Sequence, residues 1–291
     1  MTYHEYAPPR ELANIIECVW TRLSAPVAVE VSETVGGKVS EQVLHKILPD
    51  GAMDIIATYF PDGTLDDTFV VGAMTRPQFA SLGEHPLVGV RFLPGTGGSA
   101  LGTNASTLTD EQVRTQDVLN HTTLLCDAFR SLRLDPGSAH ALHLFSNSLG
   151  MQRRSVPTIV RQAAKLLSHH RAPVRVQQVA RDLSVSRQHL ARIFSVHTGL
   201  TPKLFAQICR VRALLSVAQR RFAKSGAAKS SNTAPTGSHE DSWSMLAAEF
   251  GYVDQSHLIA EVNAVIGQTP ASWRTTVGSD IPIVPVPVVA L

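Results

Sequence analysis

The chain has 291 residues, of which 44% are hydrophobic and 17% charged. That is room for roughly two domains of about 150 residues, and too apolar for disorder throughout. No uninterrupted apolar run reaches the ~18 residues of a membrane-spanning helix, and residues 1–10 lack the apolar stretch of a secretory signal.

The net charge of +2 hides an asymmetry. Residues 1–150 carry nine Lys+Arg against 17 Asp+Glu, whereas residues 151–291 carry 17 against seven. An acidic half joined to a basic half suggests two different partners, and a positive charge concentrated in the second half points to a polyanion. The three cysteines, Cys18, Cys126 and Cys209, are odd in number and far apart. They offer neither a disulfide framework nor a zinc-binding CxxC pair, so a reducing, cytoplasmic setting is expected.

In chain order, residues 12–20 read as a short helix packed on a β-rich unit. Residues 27–31, 43–48, 53–60, 69–71 and 87–93 read as strands, punctuated by Pro49-Asp50-Gly51, Pro61-Asp62-Gly63 and Pro94-Gly95. Short strands between such turns imply an antiparallel sheet or barrel. From Thr109-Asp110-Glu111, read as a helix start, the pattern turns helical, with helices over 122–134 and 138–149. Their apolar stripes suit either a dimer surface or an internal core. Residues 151–158 read as a linker. Helix follows to about Phe222, residues 223–241 read as a flexible loop, helix resumes at Trp243, and residues 277–291 form a Pro- and Val-rich extended tail.

The basic half contains an internal repeat. Shifted by 68 positions, Ser184–Pro202 falls on Tyr252–Pro270, matching Val185 with Val253, His189-Leu190 with His257-Leu258, Gly199 with Gly267 and Thr201-Pro202 with Thr269-Pro270; upstream, Ala180 matches Ala248. Each copy reads as a short helix with buried small residues (Val179 and Ala180, or Leu246 and Ala248), a three-residue turn, a Ser186 or Asp254 N-cap, and a second helix. That helix is apolar at Leu190, Ile193 and Phe194, or at Leu258, Val262 and Ile266. Its other face is polar. This is a helix-turn-helix, and two copies in one basic segment are a stronger signal than one. Residues 203–221 between them form a long helix able to hold two readers rigidly, as successive major grooves about 34 Å apart require.

These residues resemble the DNA-binding domain of AraC-type transcription regulators. The resemblance rests on AxxLxVSxxxLxRxF from Ala180 to Phe194, GLTP, the stretch from Arg210 to Leu215, AxxFGYxDQSHL from Ala247 to Leu258 and GQTPxxWR from Gly267 to Arg274. Leu48–Gly51, Val70–Pro77 and Val88–Gly95 look like the cupin-like sensory domain of a subset of that family. The resemblance implies an α+β chain with a β-rich sensory and dimerisation domain over 1–150 and an all-α domain with tandem helix-turn-helix units over 159–276. It departs from the family at Ala260-Glu261, where a basic residue is usual, at the long 223–241 connection, and at Ala191, where a larger polar residue is usual.

The expected DNA-facing residues of the first recognition helix are Ser186, Arg187, Gln188, His189, Ala191 and Arg192. Those of the second are Asp254, Gln255, Ser256, His257 and Ile259. Arginine can grip guanine O6 and N7, and glutamine adenine N6 and N7. Arg175, Lys203 and Arg210 are expected to meet phosphates, which position without specifying. His189 and His257 read equally as structural residues. Expected partners are double-stranded DNA and an unknown small-molecule effector, with RNA polymerase and a second copy of the chain as further candidates and transcriptional activation as the implied role. A constitutive DNA binder whose first half only dimerises, and an enzyme fused to a DNA-binding domain, are the alternatives. No catalytic, cofactor or metal site is expected. Gly95–Ala100 fits GxGxxA but reads as a loop without a βαβ unit, His140 and His143 have no ligand companions, and His169-His170 reads as helix-end surface.

Overall fold

In the computed structural model, residues 3–22, 44–81, 85–150, 155–168, 172–228 and 239–276 are described. Of the expectations above, the 27–31 strand, the 277–291 tail, His169-His170, the first half of the 151–158 linker and the middle of the 223–241 loop lie outside them. The fold is α+β, with an antiparallel β portion followed by a helical one.

Alternating side chains build the sheet. Strands β1 (Tyr3–Tyr6), β2 (Ile16–Arg22), β4 (Asp54–Tyr59), β5 (Leu65–Val71), β7 (Leu87–Phe92) and β8 (Gln112–Arg114) pair antiparallel in the order β1-β2-β7-β4-β5-β8. Strands β3 (Leu44–Ile47) and β6 (Gln78–Ser81) form a separate pair. Registration places Tyr6, Val19, Val90, Ile55, Val70 and Val113 in one row across the large sheet. This row faces the core, because side chains two apart share a face. The next row, on the opposite face, is Glu5, Trp20, Gly89, Ile56, Phe69 and Arg114. Trp20 lies across Gly89, and its Nε1 donates to Asp54 Oδ1 at 2.7 Å.

On the core side lie α3 (Thr123–Leu134) and α4 (Ala139–Ser148), following the short helices α1 (Gly97–Leu101) and α2 (Thr115–Val118). The apolar stripe of α3, Leu125, Ala128, Phe129 and Leu132, is wholly buried, with Phe129 edge-on to Phe145 of α4 at 5.8 Å. That part of the stripe is internal core, whereas Leu124 and Leu134 of the same helix stay 53% and 88% exposed.

Three readings are corrected here. Residues 16–22 are strand, not helix: the run is apolar enough for either, and pairing with β1 on one side and β7 on the other selects strand. Residues 109–111 begin no helix. Asp110 instead adopts φ +62° and accepts hydrogen bonds from the Thr75 amide and hydroxyl, which fixes the approach to β8. Gly97 to Ala100 is helix rather than loop. Its glycines let α1 press against Met53 and the 105–107 turn, where added Cβ atoms would lie 2.9 Å from Met53 Cβ and from the Ala105 amide.

The helical portion comprises α5 (Thr158–Ser168), α6 (Val176–Asp182), α7 (Arg187–Thr198), α8 (Pro202–Ala228), α9 (His239–Glu249), α10 (Gln255–Ile266) and α11 (Pro270–Thr276). The reading of 223–241 as loop is too wide, since α8 runs to Ala228 and α9 begins at His239. One apolar cluster runs through both portions. Thr109 Oγ1 donates to the Gly199 carbonyl (2.8 Å), Gly51 abuts Phe205 of α8, and Lys46 Nζ donates to Gln268 Oε1 (3.0 Å).

Where the sheet meets α8, charges are buried together. The Arg91 guanidinium lies 3.1 Å from Asp50, 3.3 Å from Asp54 and 3.8 Å from Glu5. Arg212 of α8 reaches the Pro49 carbonyl. Burial raises the Asp54 carboxyl above its ordinary value against the pull of Arg91. Glu17 is pushed up to about 8, by burial first, with Arg91 opposing and Asp50 and Asp54 adding.

Two outcomes follow. Gly89→Ala would set a Cβ 2.1 Å from the Trp20 ring. It should destabilise the chain by about 1–3 kcal/mol, read as a lowered denaturation midpoint at unchanged slope. Glu17 and Asp54 hold their protons more tightly folded than unfolded, so their contribution is complete below the ordinary carboxylate range and is lost as pH rises through the folded value of about 8 for Glu17. Unfolding free energy should fall between about pH 5 and pH 8, and Glu17→Gln should flatten that fall.

Candidate nucleic-acid interface

The two helix-turn-helix units share their turn chemistry. In the first, the amides of Leu183, Ser184 and Val185 donate to the carbonyls of Val179, Arg181 and Ala180. In the second, Phe250, Gly251 and Tyr252 donate to Leu246, Ala248 and Ala247. Ser184 (φ +57°) and Gly251 (φ +67°) take the same left-handed turn, a conformation glycine adopts without strain. Ser186 then caps α7 by accepting from the His189 amide (3.1 Å), and Asp254 caps α10 by accepting from the His257 amide (2.7 Å). Gly199 and Gly267, both left-handed, end the two helices.

This pairing corrects the repeat by one residue. The first helices and turns correspond at a shift of 67, the second helices at 68. Ala180 therefore matches Ala247, and both are buried, whereas Ala248 is exposed and Met245 is 66% exposed. The extra residue of the second unit is Val253, which stands 87% exposed in the turn.

On α7, Arg187, Gln188, His189 and Arg192 are exposed along with the cap Ser186, and Ala191 is half-buried between them. The opposite face, Leu190 and Phe194, is buried, and Phe194 sits edge-on to Phe205 of α8 at 5.4 Å. Arg181 of α6 borders the same groove as Arg187 and Gln188. Sequence reasoning left it out, although an arginine one turn from a recognition helix is a readable sign. Arg175 and Lys203 are exposed as well, so this unit presents a basic, hydrogen-bonding surface.

The second unit differs. Ser256, His257 and Ala260 are exposed on α10 along with the cap Asp254, but Gln255 is half-buried and its Oε1 accepts from Ser244 of α9 at 2.9 Å. Ile259 is half-buried against the core rather than free to face a groove. His257 rests edge-on to Tyr252 at 5.3 Å. The helix carries no lysine or arginine.

Arg210 is not at the surface and is withdrawn from the phosphate-contacting set. It is 6% exposed, and its guanidinium makes a two-point ion pair with Glu261, Nε donating to Oε1 at 2.9 Å and Nη2 to Oε2. Tyr252 donates its hydroxyl to the same carboxylate (3.1 Å), and its ring lies 4.4 Å beneath the guanidinium. Glu261 thus explains itself. An acid between Leu258, Val262 and Val265 on the buried stripe of α10 signals a buried cation opposite, and α8 supplies it.

Among the described residues, no group of three or more histidine, cysteine or acidic side chains could hold a metal ion, and no helix is long and apolar enough to cross a membrane. Cys18 and Cys209 are buried and Cys126 half-buried.

Residues 4–114 match a family described as a domain of unknown function, DUF6597. No curated protein matches the chain. Solved structures similar to it include ToxT from Vibrio cholerae. A structure from strain O395 is 12% identical over 79% of this chain and 92% of that one, with a TM-score of 0.37. A second ToxT crystal form is 10% identical over 88% and 97%, with a TM-score of 0.42. Unsaturated fatty acid-bound ToxT is 9% identical over 93% and 92%, with a TM-score of 0.37.

Glu261→Ala would leave the Arg210 charge buried and uncompensated. It should cost about 3–5 kcal/mol in denaturant unfolding, far more than removal of an exposed ion pair such as Arg130–Asp127.

Proposed function

We propose that the chain is a sequence-specific, double-stranded-DNA-binding transcription regulator of the AraC type. In this reading residues 159–276 read DNA, and residues 1–150 sense a small molecule. The observation that carries it is the pair of units with the same turn hydrogen bonds, each with a capped second helix whose amino-terminal polar side chains face solvent. One such unit is common among helical proteins; two, joined by a shared helix in a basic segment, are built to follow successive grooves.

The division of labour is unequal. Arg187, Gln188 and Arg192 can read base edges, with Ala191 letting the helix backbone approach closely. Arg175, Arg181 and Lys203 supply phosphate attraction and its salt dependence. The second unit contributes Ser256 and His257 without a cation on its helix, so it adds register and shape fit more than affinity. The acidic half touches α7, α8 and the α10–α11 turn. A ligand that favours one arrangement of these contacts shifts the population competent for DNA.

Full-length protein should select a preferred duplex from a random pool in gel-shift experiments. Arg187→Ala and Arg192→Ala should each lose about 1–3 kcal/mol on that duplex and relax preference at one position. Lys203→Ala should weaken all duplexes alike and lower the salt slope by about one. A chain that retains no duplex at low ionic strength overturns the reading.

A further inference from the structure

We propose that the second recognition helix reads thymine, by setting the Ala260 methyl against the C5-methyl group of that base in the major groove. The inference rests on the DNA-binding reading above and names the base that its second helix-turn-helix unit recognises.

The duplication supplies the geometry. Helices α7 and α10 are each 12 residues long, start from a capping side chain (Ser186 or Asp254) and stop at a left-handed glycine (Gly199 or Gly267). Between those ends, Leu190 and Phe194 correspond to Leu258 and Val262, and all four are fully buried. The two helices are therefore seated alike, so a position that faces solvent on α7 faces solvent on α10. Ala260 falls on Arg192, and both are exposed. The ion pair with Arg210 holds Glu261 inward, which keeps its neighbour Ala260 outward.

The chemistry at that face is neutral and partly apolar. Gln255, the counterpart of Arg187, is half-buried with its Oε1 committed to Ser244. Ser256 and His257 are the exposed polar side chains of the first turn. Val253, just ahead of the Asp254 cap, adds a second apolar side chain that is almost wholly exposed. Of the four bases, only thymine presents a methyl group in the major groove; the others present hydrogen-bond donors and acceptors there. A polar base edge pressed against the Ala260 methyl would give up its water and gain no partner. A thymine methyl buries apolar surface against it instead. At the equivalent place on α7, Arg192 suits guanine. One duplicated scaffold thus carries two unlike base preferences, and the missing cation on α10 sets specificity.

The test uses full-length protein and the duplex selected from a random pool. The half-site of the second unit lies about one helical turn from the bases whose preference depends on Arg187 and Arg192, and it should carry thymine. Deoxyuridine in place of thymidine there removes one methyl group and nothing else. In competition gel shifts this exchange should weaken wild type by about three- to fourfold. In Ala260→Gly the same exchange should have no effect. Because each comparison is a ratio of two duplexes within one variant, it is insensitive to any loss of helix stability that glycine brings. Ala260→Arg should move the preferred base from thymine to guanine, with a preference of at least about fivefold. A second half-site without thymine, or wild type indifferent to deoxyuridine, overturns the inference and leaves the DNA-binding reading standing. Equal sensitivity to deoxyuridine in Ala260→Gly overturns the assignment to Ala260, as does an Ala260→Arg variant that still selects thymine. A chain that holds no duplex at all strikes the DNA-binding reading itself, and this inference with it.

Discussion

A long helix packed along its length cannot bury its side chains without fixing whatever lies against it. Helix α8 is that constraint. Its amino-terminal turns hold Phe205 against Phe194 of the first helix-turn-helix unit, its middle holds Arg210 against Glu261 of the second, and Phe205 and Arg212 also meet the 49–51 turn of the β portion. At 1.5 Å per residue, its 27 residues span about 40 Å. The relation between α7 and α10 is thus set by one rigid element. The Arg210–Glu261 contact does more than fill space: a buried ion pair tolerates little misplacement, so it fixes the rotation of α10 about its own axis.

The charge asymmetry acquires a place in this arrangement. Three of the 17 acidic residues of the first half gather inside it. Asp50, Asp54 and Glu17 sit together around Arg91, close to Arg212 on α8. Burial raises the Asp54 and Glu17 carboxyls above their ordinary values, so ionising those two costs stability where the sheet meets the helix. Exposed cations gather instead around α6 and α7, where Arg175, Arg181, Arg187 and Arg192 face solvent.

What was legible in the sequence was local and repetitive. Pro-Asp-Gly turns, Ser186 and Asp254 caps and glycine stops are decided by the backbone within a few residues, and the strands and helices they bound lie where expected. Residues 16–22 were not legible, because a short segment in which Ile16, Cys18, Val19 and Trp20 are apolar suits helix or strand until its neighbours are known. Nor was the register of the second unit, where an inserted valine leaves the flanking identities intact while moving every buried position upstream by one. Arg210 was misplaced because a basic residue in a basic segment reads as surface, and only its pairing partner 51 positions away reveals otherwise.

The single inserted residue, Val253, has a practical consequence for anyone building chimeras. Because it precedes the Asp254 cap, the second unit's recognition helix starts one step later relative to its own supporting helix than the first unit's does. The surplus residue lies in the turn, ahead of the helix, so a transplant cut upstream of the turn would carry a longer connection with it, whereas a cut at the capping residue would leave that residue behind. The two halves of this duplicated fold are homologous parts that no longer share an interchangeable splice point.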